Sequence, residues 1–205
     1  MTLPKILTPY SPRRIFVFET RDPCEEINRL KTLVLYALTV SYGIRIDTLV
    51  ILHSTHTSIL LNGYGLRHFH PQDKSLTHFF KSILCKNKLY PGVHLLPPSI
   101  ITEFMDRAEL LIVPKNLRTT NMHSSVLLTR LVSIPPSTIA INTLDTHTSI
   151  KNSFVFELPV SADQLYFTIA SNYILDLAYG SWIRRRGKIE WREPLRYHIN
   201  GAENS

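Results

Sequence analysis

The chain has 205 residues, 44% hydrophobic and 19% charged, so it can form one domain with a substantial buried core. No apolar run reaches the ~18 residues of a membrane span, and the prolines near the start interrupt any signal-peptide pattern. The net charge of +7 favours a polyanionic partner, with nucleic acid ahead of lipid, although a basic excess that serves only solubility would look the same.

The chain begins with a predicted strand and helix. Residues 1–13 form a proline-bearing lead-in, and "RRIFVFE" (13–19) predicts a strand. The segment 22–42 predicts a helix with Asp22 as N-cap and Glu25 completing a capping box. This helix is apolar on most sides, which indicates burial on more than one face.

Apolar strands and helices then alternate along the chain. The patterns predict strands at 47–54, 58–63, 90–96, 109–114, 137–142 and 153–158, and helices at 71–84, 98–108 and 162–178. Ser161 and Gln164 form a second capping-box pair. The last helix has one apolar stripe, composed of Leu165, Ile169, Tyr173 and Leu177. This alternation predicts an α/β sheet covered by helices on both faces.

The C-terminal part, from residue 180 onward, is basic and aromatic. Arg184, Arg185 and Arg186 lead a cluster in which Trp182 and Trp191 are interleaved with cations. Arginines grip phosphates and aromatic rings stack on bases, so we expect RNA contacts here. The alternative is a hairpin packed on the domain with a solvated basic face. We therefore divide the chain into a lead-in at 1–13, an α/β domain at 14–179 and a basic extension at 180–205.

Metal and nucleotide sites of the usual kinds are not indicated. The pairs His53–His56 and His68–His70 lack the further ligands that a zinc site needs. The two cysteines, Cys24 and Cys85, make neither a disulfide framework nor a thiolate site, so we expect a reducing, cytoplasmic setting. No phosphate loop, dinucleotide fingerprint or nucleophile elbow occurs.

Arg45 and Asp47 stand two residues apart at the start of a predicted strand, in "GIRID". Loop–strand junctions are where α/β enzymes keep groups that touch substrates. The simpler reading is a local ion pair that pins a turn.

The order of "RLKTLVLYALTVSYGIRIDTLVILHS", "ILLNGYGLRHFHPQDKSLTHFFKSIL" and "YPGVHLL" resembles the TrmY family of archaeal tRNA pseudouridine N1-methyltransferases. The resemblance covers residues 14–95 in order and spacing, and continues to Ala178 as element order. It implies a SPOUT-superfamily fold, which is an α/β sheet flanked by helices with a C-terminal trefoil knot, in a homodimer. It also implies that the knot loops hold S-adenosylmethionine, which methylates N1 of a pseudouridine in tRNA or rRNA.

The resemblance implies roles for individual residues. Asp47 would orient the pseudouridine ring, while Arg45 and Arg67 would hold phosphates. The residues that would line the cofactor site are Val113, Asn142, Phe156, Glu157, Leu158 and Tyr166.

The sequence departs from the family pattern in its second half. Asn142 and Thr143 replace the glycine and aspartate of a knot turn, and Glu157 falls near the methionine part of the cofactor. Two alternatives therefore remain open. One is a SPOUT-like RNA-binding dimer without cofactor or catalysis, and the other is an unrelated α/β protein.

Overall fold

The computed structural model describes residues 8–41, 43–67, 69, 73–114, 136–142, 154–158 and 163–194. Within them, the strands are β1 (Arg13–Glu19), β2 (Thr39–Val40), β3 (Gly43–Arg45), β4 (Thr48–His53), β5 (Ser58–Asn62), β6 (Val93–Leu96), β7 (Leu110–Pro114), β8 (Thr138–Asn142), β9 (Phe154–Leu158), β10 (Ser181–Arg185) and β11 (Lys188–Arg192). The helices are α1 (Ile27–Leu38), α2 (Asp73–Lys86), α3 (Ile100–Asp106) and α4 (Gln164–Tyr179).

The fold is mixed α/β and centres on a seven-stranded sheet of order β6-β5-β4-β1-β8-β7-β9. The five strands from β4 to β9 in this order are parallel, whereas β5 and β6 are antiparallel. The predicted strands and helices of the described residues are therefore confirmed in type and order. The two antiparallel strands β5 and β6 at one side of the sheet make it mostly, not wholly, parallel.

Both faces of the sheet are covered, as the apolar strands predicted. One face packs against α1, α2 and α4, with Phe16 and Phe18 of β1 among its buried residues. Ile15 and Val17 point to the other face and pack with Phe104 and Met105 of α3. This alternation is the two-residue period of a strand buried on both sides.

The first helix begins later and ends earlier than the sequence predicted. Residues 23–26 form turns, and α1 starts at Ile27 with Glu26 as its N-cap. Asp22 still caps this segment, because its carboxylate accepts hydrogen bonds from the backbone N–H groups of Cys24 and Glu25. After Leu38 the chain turns into β2 and β3, so "GIR" is a short strand rather than a turn.

The predicted stripe on the last helix is confirmed for Leu165 and Leu177, which pack on the core, and is wrong for its two middle residues. Ile169 and Tyr173 are 40% and 62% exposed, and the buried face instead carries Phe167, Ser171 and Leu175. Asn172 is buried as well, because its side-chain amide donates to the Tyr36 and Ala37 carbonyls of α1, which a hydrophobic pattern does not reveal. Asp163 is the N-cap and accepts from Tyr166 N–H, while the predicted cap Ser161 lies outside the described residues.

Cys24 and Cys85 form a disulfide, so the expectation that the two cysteines stay unpaired is wrong. Their Cα atoms are 5.1 Å apart although 61 residues separate them in the sequence. The bond joins the segment before α1 to the last turn of α2. These two helices pack side by side, and only that packing brings the sulfurs together.

The basic segment after Gly180 folds onto the body of the protein. β10 and β11 form a hairpin, and β10 pairs with β3, giving a small sheet of order β11-β10-β3-β2. Residues 181–192 thus pair with a strand that precedes the predicted boundary at 179–180. No helix among the described residues is long and apolar enough to cross a membrane.

Candidate functional site

Five of the six predicted cofactor residues lie at one edge of the large sheet. Val113 is the penultimate residue of β7, Asn142 is the last residue of β8, and the other three lie on β9. Val113 pairs with Glu157, and Pro114 pairs with Leu158. These strands are neighbours and parallel, so their carboxyl ends meet. Tyr166, the sixth, lies in the first turn of α4, which follows β9.

The chain reverses its direction across the sheet at this edge. After β7 it returns to place β8 between β7 and β1, and β9 then pairs on the opposite side of β7. Open α/β sheets bind ligands outside the carboxyl ends of strands at such a reversal. The sheet edge is therefore in a position that can hold a cofactor.

The six residues differ in how they could contact a ligand. Phe156 and Leu158 are buried in the core, whereas Glu157 is exposed and Val113 is half-buried. Tyr166 is 56% exposed. The side chain of Asn142 and the segments 115–135, 143–153 and 159–162, which follow the three strands, lie outside the described residues.

Arg45 and Asp47 belong to a buried ionic cluster at the opposite edge of the sheet. Asp176 of α4 receives Arg14 Nη1 on one oxygen at 2.6 Å and Arg45 Nη2 on the other at 2.5 Å. Arg14 Nε lies 4.0 Å from Asp47 Oδ2. Arg14 and Asp47 are fully buried, and Arg45 is 4% exposed. The predicted local pair is thus part of a four-residue cluster that joins β1, β3 and α4.

The carboxylate of Asp47 is occupied by groups of the chain. One oxygen accepts from Trp182 N–H at 2.9 Å, and the other accepts from the Thr48 hydroxyl at 3.1 Å. Asp47 therefore anchors the first residues of β10 to the start of β4. Contact with a base, the role that the resemblance implies, stays a prediction and requires these bonds to open.

The two carboxylates of the cluster have opposite pKa shifts. Burial raises the pKa of Asp47 above its ordinary value, and the nearby guanidinium of Arg14 only partly opposes it. Burial also acts on Asp176, but the charges of Arg14 and Arg45 outweigh it and hold its pKa below the ordinary value. Asp176 is thus the carboxylate that the two arginines keep ionised.

Asp47 is remote from the candidate cofactor edge of the same chain. It precedes β4, whose Thr48 pairs with Arg14, while Val17 of β1 pairs with Asn142. With strand spacings of about 4.8 Å and rises of about 3.3 Å, Asp47 and Val113 are roughly 20 Å apart. Asp47 and Val113 therefore cannot both contact the same atom of a ligand in one chain.

The predicted RNA-binding arginines fall into two groups. The guanidinium of Arg184 is held by hydrogen bonds within the chain, since it donates to the backbone carbonyls of Gly63, Tyr64 and Leu66. Arg67 is exposed. Arg45 serves the ionic cluster described above, which leaves it no exposed surface for a phosphate.

Arg185 and Arg186 line a surface groove of about 480 Å³ together with Ser41, Lys188 and Glu190. The Nε atom of Arg185 is buried without a hydrogen-bond partner in the described part of the chain. Three cations facing one carboxylate make this groove suited to phosphate.

The described residues contain no group of three or more histidine, cysteine, aspartate or glutamate side chains that could hold a metal ion. His53 instead bonds the Ser58 hydroxyl through Nδ1 at 3.1 Å. His68 and His70 lie outside the described residues.

Arg14, Asp176, Tyr10 and Tyr64 were not predicted from the sequence to belong to a site. A signal was present for one of them, because the charge of Asp176 interrupts the apolar segment "YILDLA", whereas Arg14 precedes the apolar run of its strand. An isolated buried charge implies an opposite partner. The pattern could not say which partner it was.

These features define a mixed α/β protein with a candidate ligand edge and a separate basic surface. Neither a protein-family model nor a curated protein sequence matches the chain.

Proposed function

We propose that the protein is an S-adenosylmethionine-dependent RNA methyltransferase of the SPOUT class, acting on N1 of a pseudouridine in tRNA or rRNA. The observation that carries the proposal is the meeting of Val113, Asn142, Glu157 and Leu158 at the carboxyl ends of three adjacent parallel strands. The resemblance to the TrmY family singled out these residues from separate parts of the sequence.

The fold class of the proposal, with its trefoil knot, is supported by the strand order. β8 is inserted between β1 and β7, and α4 then carries the chain back across the sheet to pack on α1. A knot requires the last segment to pass through one of the preceding connections. Those connections, 115–135 and 143–153, lie outside the described residues.

The chemistry asks little of the protein beyond placement. N1 of pseudouridine must lose one proton as it takes the methyl group, and positioning can supply much of the acceleration. Backbone groups at the strand ends would hold the cofactor, and Glu157 would face its cationic methionine part. The proposal includes N1 as the attacking atom because the resembled family methylates that atom.

The proposal also includes a homodimer. The separation of roughly 20 Å between Asp47 and Val113 in one chain supports this, because a second copy could bring its "GIRID" region closer to the methyl donor. In this arrangement Asp47 acts as a positioning residue that fixes the small sheet.

A cytoplasmic location is the remaining part of the proposal. Disulfides are rare in most reducing compartments, but intracellular proteins of hyperthermophilic archaea are rich in them. The family that the sequence resembles is archaeal, so the Cys24–Cys85 bond is compatible with this location.

Titration calorimetry with S-adenosylmethionine and S-adenosylhomocysteine tests the cofactor. We expect micromolar binding of both. The Glu157→Lys variant should bind S-adenosylmethionine, which carries a sulfonium charge, more weakly than the wild type, with a smaller loss for S-adenosylhomocysteine, whose thioether is neutral. Glu25→Lys makes an equal charge change on an exposed turn and should change the affinity for neither ligand. Absence of binding to both ligands in the folded protein would refute the proposed reaction.

A second candidate is an RNA-binding dimer without cofactor. The groove lined by Arg185, Arg186 and Lys188 favours it, because it exists independently of the candidate cofactor edge. RNA binding in the absence of any cofactor binding would select this function over the methyltransferase.

A further inference from the structure

Four aromatic side chains form a continuous row across the small sheet. The ring centroids of Tyr64 and Tyr10 are 5.7 Å apart, those of Tyr10 and Trp182 are 4.9 Å apart, and those of Trp182 and Trp191 are 5.1 Å apart. The inner rings, Tyr10 and Trp182, are half-buried. The outer rings remain open, with Tyr64 38% and Trp191 39% exposed. We call these four residues the aromatic row.

Three contacts within the described residues fix the aromatic row. Trp182 and Trp191 are directly opposite each other in the β10–β11 hairpin, so their rings share a face. Gly180 leaves room for Trp191, because a Cβ atom there would lie 3.0 Å from its Cζ2 atom. Arg184 holds Tyr64 in place through the Tyr64 carbonyl at 2.9 Å. The row is therefore organised before any ligand arrives.

Cations flank the aromatic row. Arg67 follows Tyr64 closely in the chain and is exposed, and its charge acts on Arg184, which shares the hairpin face with Trp182. Arg186 occupies the turn of the same hairpin, and the other hairpin residues of the basic groove lie on the face opposite to Trp182. Exposed rings bordered by cations suit a ligand that carries both planar rings and negative charge.

We propose that the aromatic row is a stacking platform for single-stranded RNA, with bases on the outer rings of Trp191 and Tyr64 and phosphates on Arg67 and Arg186. The inference rests on the proposed function only in taking RNA as the partner. Single strands are favoured over duplexes, because bases within a duplex already stack on each other and offer no free face.

Intrinsic fluorescence gives a direct test, since the only two tryptophans of the chain, Trp182 and Trp191, both lie in the aromatic row. A 12-nucleotide oligouridine should quench tryptophan emission with the same affinity that anisotropy of a labelled oligouridine reports. Binding without any change in emission would overturn the platform. So would equal affinity for a duplex of the same length, or emission changes with anionic phospholipid vesicles but not with oligouridine.

Ring substitutions sharpen the test. Trp191→Ala should lower the affinity for oligouridine by roughly 10-fold, because stacking of one base on one ring is lost. The affinity of Trp191→Phe should stay much closer to that of the wild type. Tyr173→Ala removes an exposed ring on α4 and should change nothing. If Trp191→Ala binds as the wild type does, the platform is refuted.

Two controls keep the outcomes apart. The thermal midpoint and far-ultraviolet circular dichroism of each variant show whether the hairpin has remained folded. Cofactor titration of Trp191→Ala should match the wild type, so failure of the platform and failure of the methyltransferase proposal give different results. Oligouridine binding with normal quenching but no cofactor binding would support the platform alone.

Discussion

Arg14 Nη1 lies 2.6 Å from Asp176 Oδ1, which joins the start of the central strand to the last helix across 162 positions of sequence. Asp176 also binds Arg45, so a single carboxylate bridges two buried guanidinium groups. The cluster connects the large sheet, the small sheet and α4. It is therefore the junction between the candidate cofactor fold and the candidate RNA surface.

Removing that carboxylate should be costly. Asp176→Asn leaves Arg14 and Arg45 with only Asp47 as counter-charge, and we expect the free energy of unfolding to fall by about 3–5 kcal/mol. Glu103→Gln breaks an exposed pair with Arg107 and should cost under about 1 kcal/mol. Urea denaturation of both variants checks this, and equal losses would contradict the importance of the cluster.

The contribution of Asp176 should depend on pH with a definite sign. Its pKa is held below the ordinary value of 3.8, so the unfolded chain binds its proton at a higher pH than the folded one. The stabilisation is full above the unfolded pKa and is lost as the pH falls through the folded pKa. The stability difference between wild type and Asp176→Asn should thus be constant near neutral pH and shrink below about pH 4. A difference that grows on acidification would reverse the assignment.

Asp47→Ala should loosen the hairpin. The substitution leaves the Trp182 N–H and the Thr48 hydroxyl without their acceptor and removes a carboxylate near Arg14. We therefore expect the free energy of unfolding to fall by about 3 kcal/mol. Thr48→Val removes one neutral bond and should cost about 1 kcal/mol. Urea unfolding followed by tryptophan emission measures both. An Asp47→Ala protein with normal stability but no turnover would instead indicate direct contact with the base.

The disulfide should stabilise the fold substantially. It closes a loop across 61 positions, and replacing both cysteines by serine should lower the free energy of unfolding by about 2–4 kcal/mol. Reduction of the wild type should give the same loss, whereas the serine variant should not respond to reductant. Two free thiols in the native, unreduced protein would show that the bond does not form.

Arg186→Asn separates stability from RNA affinity. Arg186 and Gly187 both have positive φ, at 49° and 80°, in the two-residue turn between β10 and β11. Asparagine before glycine is favoured in such a turn, so stability should hold or rise. Oligouridine affinity should fall, with the salt dependence reduced by about 0.7 in log–log slope if one phosphate contact is lost.

The matched control for this variant is Arg107→Asn, which removes an exposed cation from α3. Its oligouridine affinity and salt slope should equal those of the wild type. If both variants weaken binding alike, net charge rather than the turn position attracts RNA.

The sequence by itself determined the seven strands of the large sheet, the four helices of the described residues and the coverage of that sheet on both faces. A short apolar run rich in β-branched and aromatic residues, such as "RRIFVFE", indicates a strand buried on both sides, and the pattern shows this without knowledge of the neighbours. Helix ends were less certain, as α1 shows, because turns and the first helical residues share the same capping residues.

Only the tertiary structure decided which residues meet. The contact between Arg14 and Asp176 requires the packing of α4 on α1. The disulfide between Cys24 and Cys85 requires the packing of α1 on α2, and the contact between Tyr10 and Trp182 requires the pairing of β10 with β3. Such contacts depend on the positions of whole elements, and local periodicity carries no information about them. For the same reason the basic C-terminal segment looked like an extension in the sequence and is a strand pair of the small sheet in the fold.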